Sequence, residues 1–167
     1  MPDEKSEKKS GIGGKTGKIR TIRKPRVLFV CKHNSVRSQI AEGYLRARYS
    51  DLFEAASAGS KAFGVYPIAI AVMDEIGIPV SAQRSTLVDE LFQVDFDIIV
   101  KVSDCAYQGC PFFPGVRETI DADFPGPKAC DGTPRERVAQ FRQVHDAIIT
   151  WIDQYFVPGY GQICIRP

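Results

Sequence analysis

No stretch of this chain approaches the roughly 18 consecutive apolar residues of a membrane-spanning helix, so no span is expected. The first residues are charged and form no apolar leader core. No secretion signal is expected, and the implied location is cytoplasmic. Histidine is scarce. His33 and His145 are the two present, and neither lies in a ligand-spaced cluster, so no metal site is expected. Cysteine occurs five times, at positions 31, 105, 110, 130 and 164. An odd count without a leader argues against a disulfide framework and leaves thiols that are reactive or simply buried. Apolar residues are nearly missing from residues 1–26, which carry nine Lys or Arg against three Asp or Glu, a net of +6. With +2 overall, the remainder carries −4. Residues 1–25 therefore read as a disordered basic extension and 157–167 as a tail, around a domain at 26–156. The extension has no aromatic side chain for base stacking, and no nucleic-acid partner is expected.

What remains is enough apolar sequence for one domain, 44% of 167 residues. Val27–Val30 is apolar throughout, as a buried parallel strand should be. A helix is expected over Ser38–Tyr49, with Ile40, Ala41, Tyr44, Leu45 and Ala47 inward. Phe53–Ala58 reads as a strand closed by Gly59, and Pro67–Ile76 as a helix ended by Gly77. A short helix near Leu87–Phe92 and a strand at Phe96–Val102 follow. Residues 104–132 read as loop, broken by Pro111, Pro114, Pro125 and Pro127. A last amphipathic helix is expected over Thr133–Tyr155, with Pro134 tolerated in its first turn. Strands alternating with helices indicate an α/β fold with helices on both faces of a parallel sheet. In such folds ligands gather beyond the carboxyl ends of the strands. The loops after Val30 and after Val102 both emerge there, so Cys31 and the pair Cys105 and Cys110 are expected to converge.

The segment Cys31-Lys32-His33-Asn34-Ser35-Val36-Arg37 joins a strand to a helix. The backbone N–H groups of Lys32 through Arg37 and the positive helix end suit an oxyanion. A cysteine there should carry much of its sulfur as thiolate, the form that attacks. Arg37 can grip two oxygens of a tetrahedral anion, Ser38 can donate to the sulfur, and Asn34 can hold an irregular loop. His33 reads as a loop-holding side chain rather than a base.

CKHNSVRSQIAEG resembles the phosphate-binding loop and following helix of the low-molecular-weight protein tyrosine phosphatase superfamily. Its NS-x-RSQ-x-AEG pattern is most similar to the thiol-dependent arsenate reductases. SAGS at 57–60, Pro67, Ala69, MDEIGI at 73–78 and CPFFPG at 110–115 extend the likeness over residues 26–155. The resemblance implies a three-layer α/β fold on a central four-stranded parallel sheet, with the anion loop after the first strand. It also implies Cys31 as nucleophile, Arg37 as oxyanion clamp, and Ser38 and Asn34 as stabilisers. No bound cofactor is implied.

Two chemistries follow from the resemblance. A reductase would let Cys31 attack arsenate. A second cysteine would then attack Cys31, and an external donor (thioredoxin, glutaredoxin or a small thiol) would regenerate the thiols. Cys105 and Cys110 are the candidates for that relay, and Cys130 reads as a bystander. A phosphatase would instead need a general acid. Gly126-Pro127 stands where the family usually has Asp-Pro, leaving Asp123, or Asp121, as substitutes. Arsenate reduction is the preferred reading. Hydrolysis of phosphotyrosine or aryl phosphates is the second, and a non-catalytic anion-binding or redox-regulatory protein is the third.

Overall fold

A computed structural model describes residues 23–103, 113–127 and 132–157. Residues 1–22 of the basic extension, the loop that carries Cys105 and Cys110, Cys130, and the tail from 158 lie outside the described residues. Four parallel strands form one sheet in the order β2-β1-β3-β4: β1 Arg26–Cys31, β2 Glu54–Gly59, β3 Ile98–Lys101 and β4 Glu118–Asp121. Among the described residues three α-helices accompany them, α1 Arg37–Tyr49, α2 Pro67–Glu75 and α3 Pro134–Phe156, with a 3-10 helix at Val88–Leu91.

The period of two along β1 sorts the core. Val27, Phe29 and Cys31 face a large cluster with Ile40, Ala41 and Leu45 of α1, Val72 and Met73 of α2, and Phe141, Ile148, Ile152 and Phe156 of α3. Leu28 and Val30 face a smaller cluster with Val88, Phe96, Ile99 and Phe113. Both faces thus carry helices, but unequally: three α-helices on one, the 3-10 helix on the other. Among the described residues no helix is long and apolar enough to cross a membrane.

Three expectations are corrected. β4 falls inside the segment read as loop. It is an edge strand of four residues, alternately half-buried and exposed and flanked by charge, so it carries no apolar run to betray it. Ala47 is exposed, because the first two turns of α1 are buried on nearly every side and its last turn emerges into solvent. The third strand starts only at Ile98, because the Asp97 carboxylate, in place of a backbone carbonyl, accepts from the Arg26 N–H at 2.8 Å, and it also accepts from Arg23 Nη1 at 2.6 Å.

Parallel register puts the carboxyl ends of all four strands on one edge. Cys31 lies opposite Gly59 there. A side chain at Gly59 would place its Cβ 2.7 Å from the Lys61 carbonyl, 2.8 Å from Asn34 N and 2.9 Å from the Cys31 carbonyl. Only glycine lets β2 lie against the loop after β1.

Candidate active site

β1 delivers Cys31 to the sheet edge at 3% exposure, and α1 begins six residues later. The carbonyls of Lys32, His33 and Ser35 accept from the N–H groups of Lys61 (2.9 Å), Phe63 (3.3 Å) and Tyr66 (2.9 Å) in the segment after β2. In a planar trans peptide the N–H points opposite the C=O. Turning these carbonyls outward turns the N–H groups of His33, Asn34 and Val36 inward. Val36 caps α1 without a side-chain hydrogen bond, so the first turn also keeps donors for an anion.

Asn34 is wholly buried and takes a left-handed backbone, φ 47°. Its side chain repays the strain. Asn34 Oδ1 accepts from Thr86 N (2.7 Å) and Gln39 Nε2 (3.0 Å), and Asn34 Nδ2 donates to Ser38 Oγ (2.9 Å) and Ser57 Oγ (2.8 Å). Ser38 Oγ lies 2.9 Å from Cys31 Sγ. Ser85 Oγ donates to the Asn34 carbonyl at 2.7 Å, so residues 83–86 strap the loop from outside.

The loop floors a cavity of 470 Å³ lined by Cys31, His33, Ser35 and Arg37 on one side and Phe63, Tyr66, Gly126 and Phe141 on the other. Arg37 donates through Nη1 to the Phe124 carbonyl at 2.7 Å, which aligns its fork while leaving further N–H groups for a ligand. A Cβ at Gly126 would stand 3.5 Å from the Arg37 Cζ. The His33 ring stacks on Phe63 with centroids 4.9 Å apart, and Lys61 lies over the same Phe63 ring at 5.9 Å. Burial, with Lys32, Lys61 and Arg37 nearby, holds the His33 imidazole below its usual value, so the ring is neutral at pH 7.

Cys31, the loop Lys32–Arg37 and Ser38 are therefore brought together. Asp123 is exposed and does not line the cavity, and Asp121 pairs with Lys101 at 3.0 Å. Cys105, Cys110 and Cys130 lie outside the described residues. Sequence reasoning missed Gln39, Glu42, Ser57, Phe63 and the strap at Gln83–Thr86. One signal was available: Gln39 and Glu42 are polar residues embedded in the apolar stripe of α1, where a polar side chain is retained only with partners. Among the described residues no group of three His, Cys, Asp or Glu is placed to hold a metal.

The sequence model of the low molecular weight phosphotyrosine protein phosphatases matches residues 26–155. This chain belongs to that family. The arsenate reductase of Halalkalibacterium halodurans is 38% identical over 122 residues, 73% of this chain and 88% of that protein. A solved arsenate reductase in its oxidised state superposes with a TM-score of 0.67 at 27% identity, over 77% of this chain and 94% of that one. A thioredoxin-dependent arsenate reductase of Corynebacterium glutamicum superposes with a TM-score of 0.55 at 26% identity, over 78% of this chain and 63% of that one.

Proposed function

We propose that this chain reduces arsenate to arsenite by a thiol relay. The observation that carries the reading is Cys31 Sγ held 2.9 Å from Ser38 Oγ beneath a loop that turns its amides and Arg37 to one cavity. The arsenate reductases among its relatives support it. In the proposed sequence the Cys31 thiolate attacks the arsenic of dihydrogen arsenate. An S–As bond forms and water leaves, carrying a proton already on the substrate. Arg37 and the loop amides of Lys32–Val36 hold the remaining oxygens. A thiolate from Cys105 or Cys110 then attacks Cys31 sulfur. The S–As bond pair passes to arsenic, which falls from the pentavalent to the trivalent state, and two thiols become one disulfide. An external dithiol, a thioredoxin or glutaredoxin, or a small thiol, reduces that disulfide in a reducing compartment such as the cytoplasm.

Gly126 favours this reading over phosphoester hydrolysis. It stands beside the Arg37 guanidinium, so the described cavity wall offers no carboxyl to protonate an alkoxide or phenoxide. Water leaving from a protonated arsenate needs no such acid. Asp123 keeps a role only if the segment 122–127 rearranges when substrate binds.

Replacing Cys105 and Cys110 by serine, singly and together, tests the relay. Multiple-turnover arsenate reduction should be lost in at least one single variant: without the thiol that attacks Cys31 no arsenite is released, whereas loss of a cysteine that only passes the disulfide onward still releases one equivalent. Undiminished turnover in the double variant, or aryl phosphate hydrolysis without arsenate reduction in the parent, would overturn it.

A further inference from the structure

Glu42 belongs to none of the chemistry above, yet it is a carboxylate buried in α1 at 7% exposure. Its oxygens are taken by Ser57 Oγ of β2 and by the Arg46 guanidinium one turn on. Burial pushes the carboxyl up from its usual range, while Ser57 and Arg46 pull it back.

The direction of each hydrogen bond follows from the amide of Asn34. The Thr86 N–H and Gln39 Nε2 both donate to Oδ1, so the amide cannot flip and Nδ2 faces the two serines. Its two protons go to Ser38 Oγ and Ser57 Oγ. A hydroxyl that accepts one bond has its own proton to give. Ser38 therefore donates to Cys31 Sγ, and Ser57 donates to Glu42. A carboxylate only accepts. Thus Glu42 and Cys31 are the two acceptor ends of one chain of donors centred on Asn34. The four-residue spacing places Ser38 and Glu42 on one face of α1, and Cys31, at the end of β1, meets that helix at Ser38.

We propose that Glu42 is a positioning residue for the Cys31 thiolate, acting through Ser57 and Asn34 to keep the Ser38 proton on the sulfur. The inference rests on the reading of Cys31 as nucleophile and deepens it. If Glu42 loses its acceptor oxygen, the Ser57 proton has no buried acceptor, and the Ser57 hydroxyl, no longer held and polarised by the carboxylate, accepts more weakly from Asn34 Nδ2. Thr86 and Gln39 still fix which way the Asn34 amide faces, but its Nδ2 then has one firm acceptor instead of two, and its hold on Ser38 beneath Cys31 loosens.

Alkylation of Cys31 by iodoacetamide at pH 7, with the labelled peptide read by mass spectrometry, reports on the sulfur without arsenate. Glu42→Leu and Ser57→Ala should each slow labelling at least threefold. Because they cut the same chain, the double variant should be no slower than the slower single. Glu42→Gln retains an acceptor oxygen and should stay within twofold of the parent, a rescue that loss of packing would not produce. Circular dichroism and a urea midpoint identify folded variants, and Ser57→Ala, which removes one oxygen, supplies the comparison if Glu42→Leu does not fold. Labelling within twofold of the parent in folded Ser57→Ala, a multiplicative double variant, or Glu42→Gln as slow as Glu42→Leu would each overturn the proposal. If the expected labelling pattern is found in a protein that reduces no arsenate, the positioning role stands and the assignment of the reaction falls.

Discussion

At the scale of single residues two glycines carry the sharpest expectations. Alanine at Gly59 would drive a Cβ within 3.0 Å of three backbone atoms, two of them in the anion loop. Backbone cannot rotate away as a side chain can, so Gly59→Ala should cost about 1–3 kcal/mol in urea unfolding. Arsenate turnover should fall further than stability alone explains, since Cys31 and Asn34 are the atoms displaced. Gly126 is the opposite case. The nearest atoms a Cβ there would meet among the described residues are those of the Arg37 guanidinium, at 3.5 to 3.6 Å, an ordinary contact. Gly126→Asp should therefore fold and set a carboxyl at the cavity wall. Alkyl and aryl phosphate hydrolysis should rise on the order of 10²-fold, the lower end of what general acid catalysis supplies. An unchanged rate with both phosphates would show that an acid at this position does not reach the leaving oxygen.

At the scale of elements, the two long helices start differently for reasons of function and stability. α3 has a complete capping box, Thr133 Oγ1 accepting from Glu136 N at 3.3 Å and Thr133 N donating to Glu136 Oε2 at 2.6 Å, with Pro134 in the first turn. α1 has no side-chain cap, and its first-turn donors stay available to the anion loop. The far end of α1 is clasped to α3 by Asp153, which accepts from Tyr44 Oη at 2.9 Å and Tyr49 Oη at 2.6 Å. Burial, then the bond to Asp153, pushes the Tyr49 hydroxyl up to about 12. A phenol raised in the folded state contributes stability that is fully present below its unfolded value of about 10. That contribution is lost as pH rises through about 12. The urea midpoint of the parent should fall between these two pH values. Tyr49→Phe should flatten the fall in that window and lower the midpoint at pH 7 by an amount equivalent to about 1 kcal/mol. An identical alkaline slope in the variant would assign the fall to other groups.

At the scale of the molecule, α3 closes the helix-bearing face of the sheet. Phe156, in its last turn, is 1% exposed and meets Phe53 at 5.1 Å, Trp151 at 5.9 Å and Phe29 of β1 at 6.4 Å between centroids. Truncation would open a cavity beneath three separate elements. Phe156→Ala should destabilise by about 3–5 kcal/mol in urea unfolding. Because Phe156 joins β1, the segment before β2, and α3, the loss should appear in one cooperative transition. A separate early transition confined to α3 would mean that the helix docks independently of the sheet.

Strand one, the three α-helices and the anion loop were legible in the sequence because each rests on local signals: an apolar run, a helical period, a proline in a first turn, and a cysteine and arginine six apart. β4 was not, since a short edge strand has one neighbour and no apolar run, and pairing with β3 is a contact of the whole sheet. Parallel register brought Gly59 against the loop, which no spacing along the chain declares. The carboxyl near Cys31 was sought downstream at Asp123, yet Asp123 stays exposed while Gly126 stands over Arg37. Glu42 carries a charge and is nonetheless buried, because Ser57 of β2 and Arg46 one turn on supply the donors that make its burial tolerable. The sequence by itself determined which residues could do chemistry at the sheet edge. The tertiary structure decided which of them share one hydrogen-bonded chain, because hydrogen-bond direction depends on partners drawn from four separate segments.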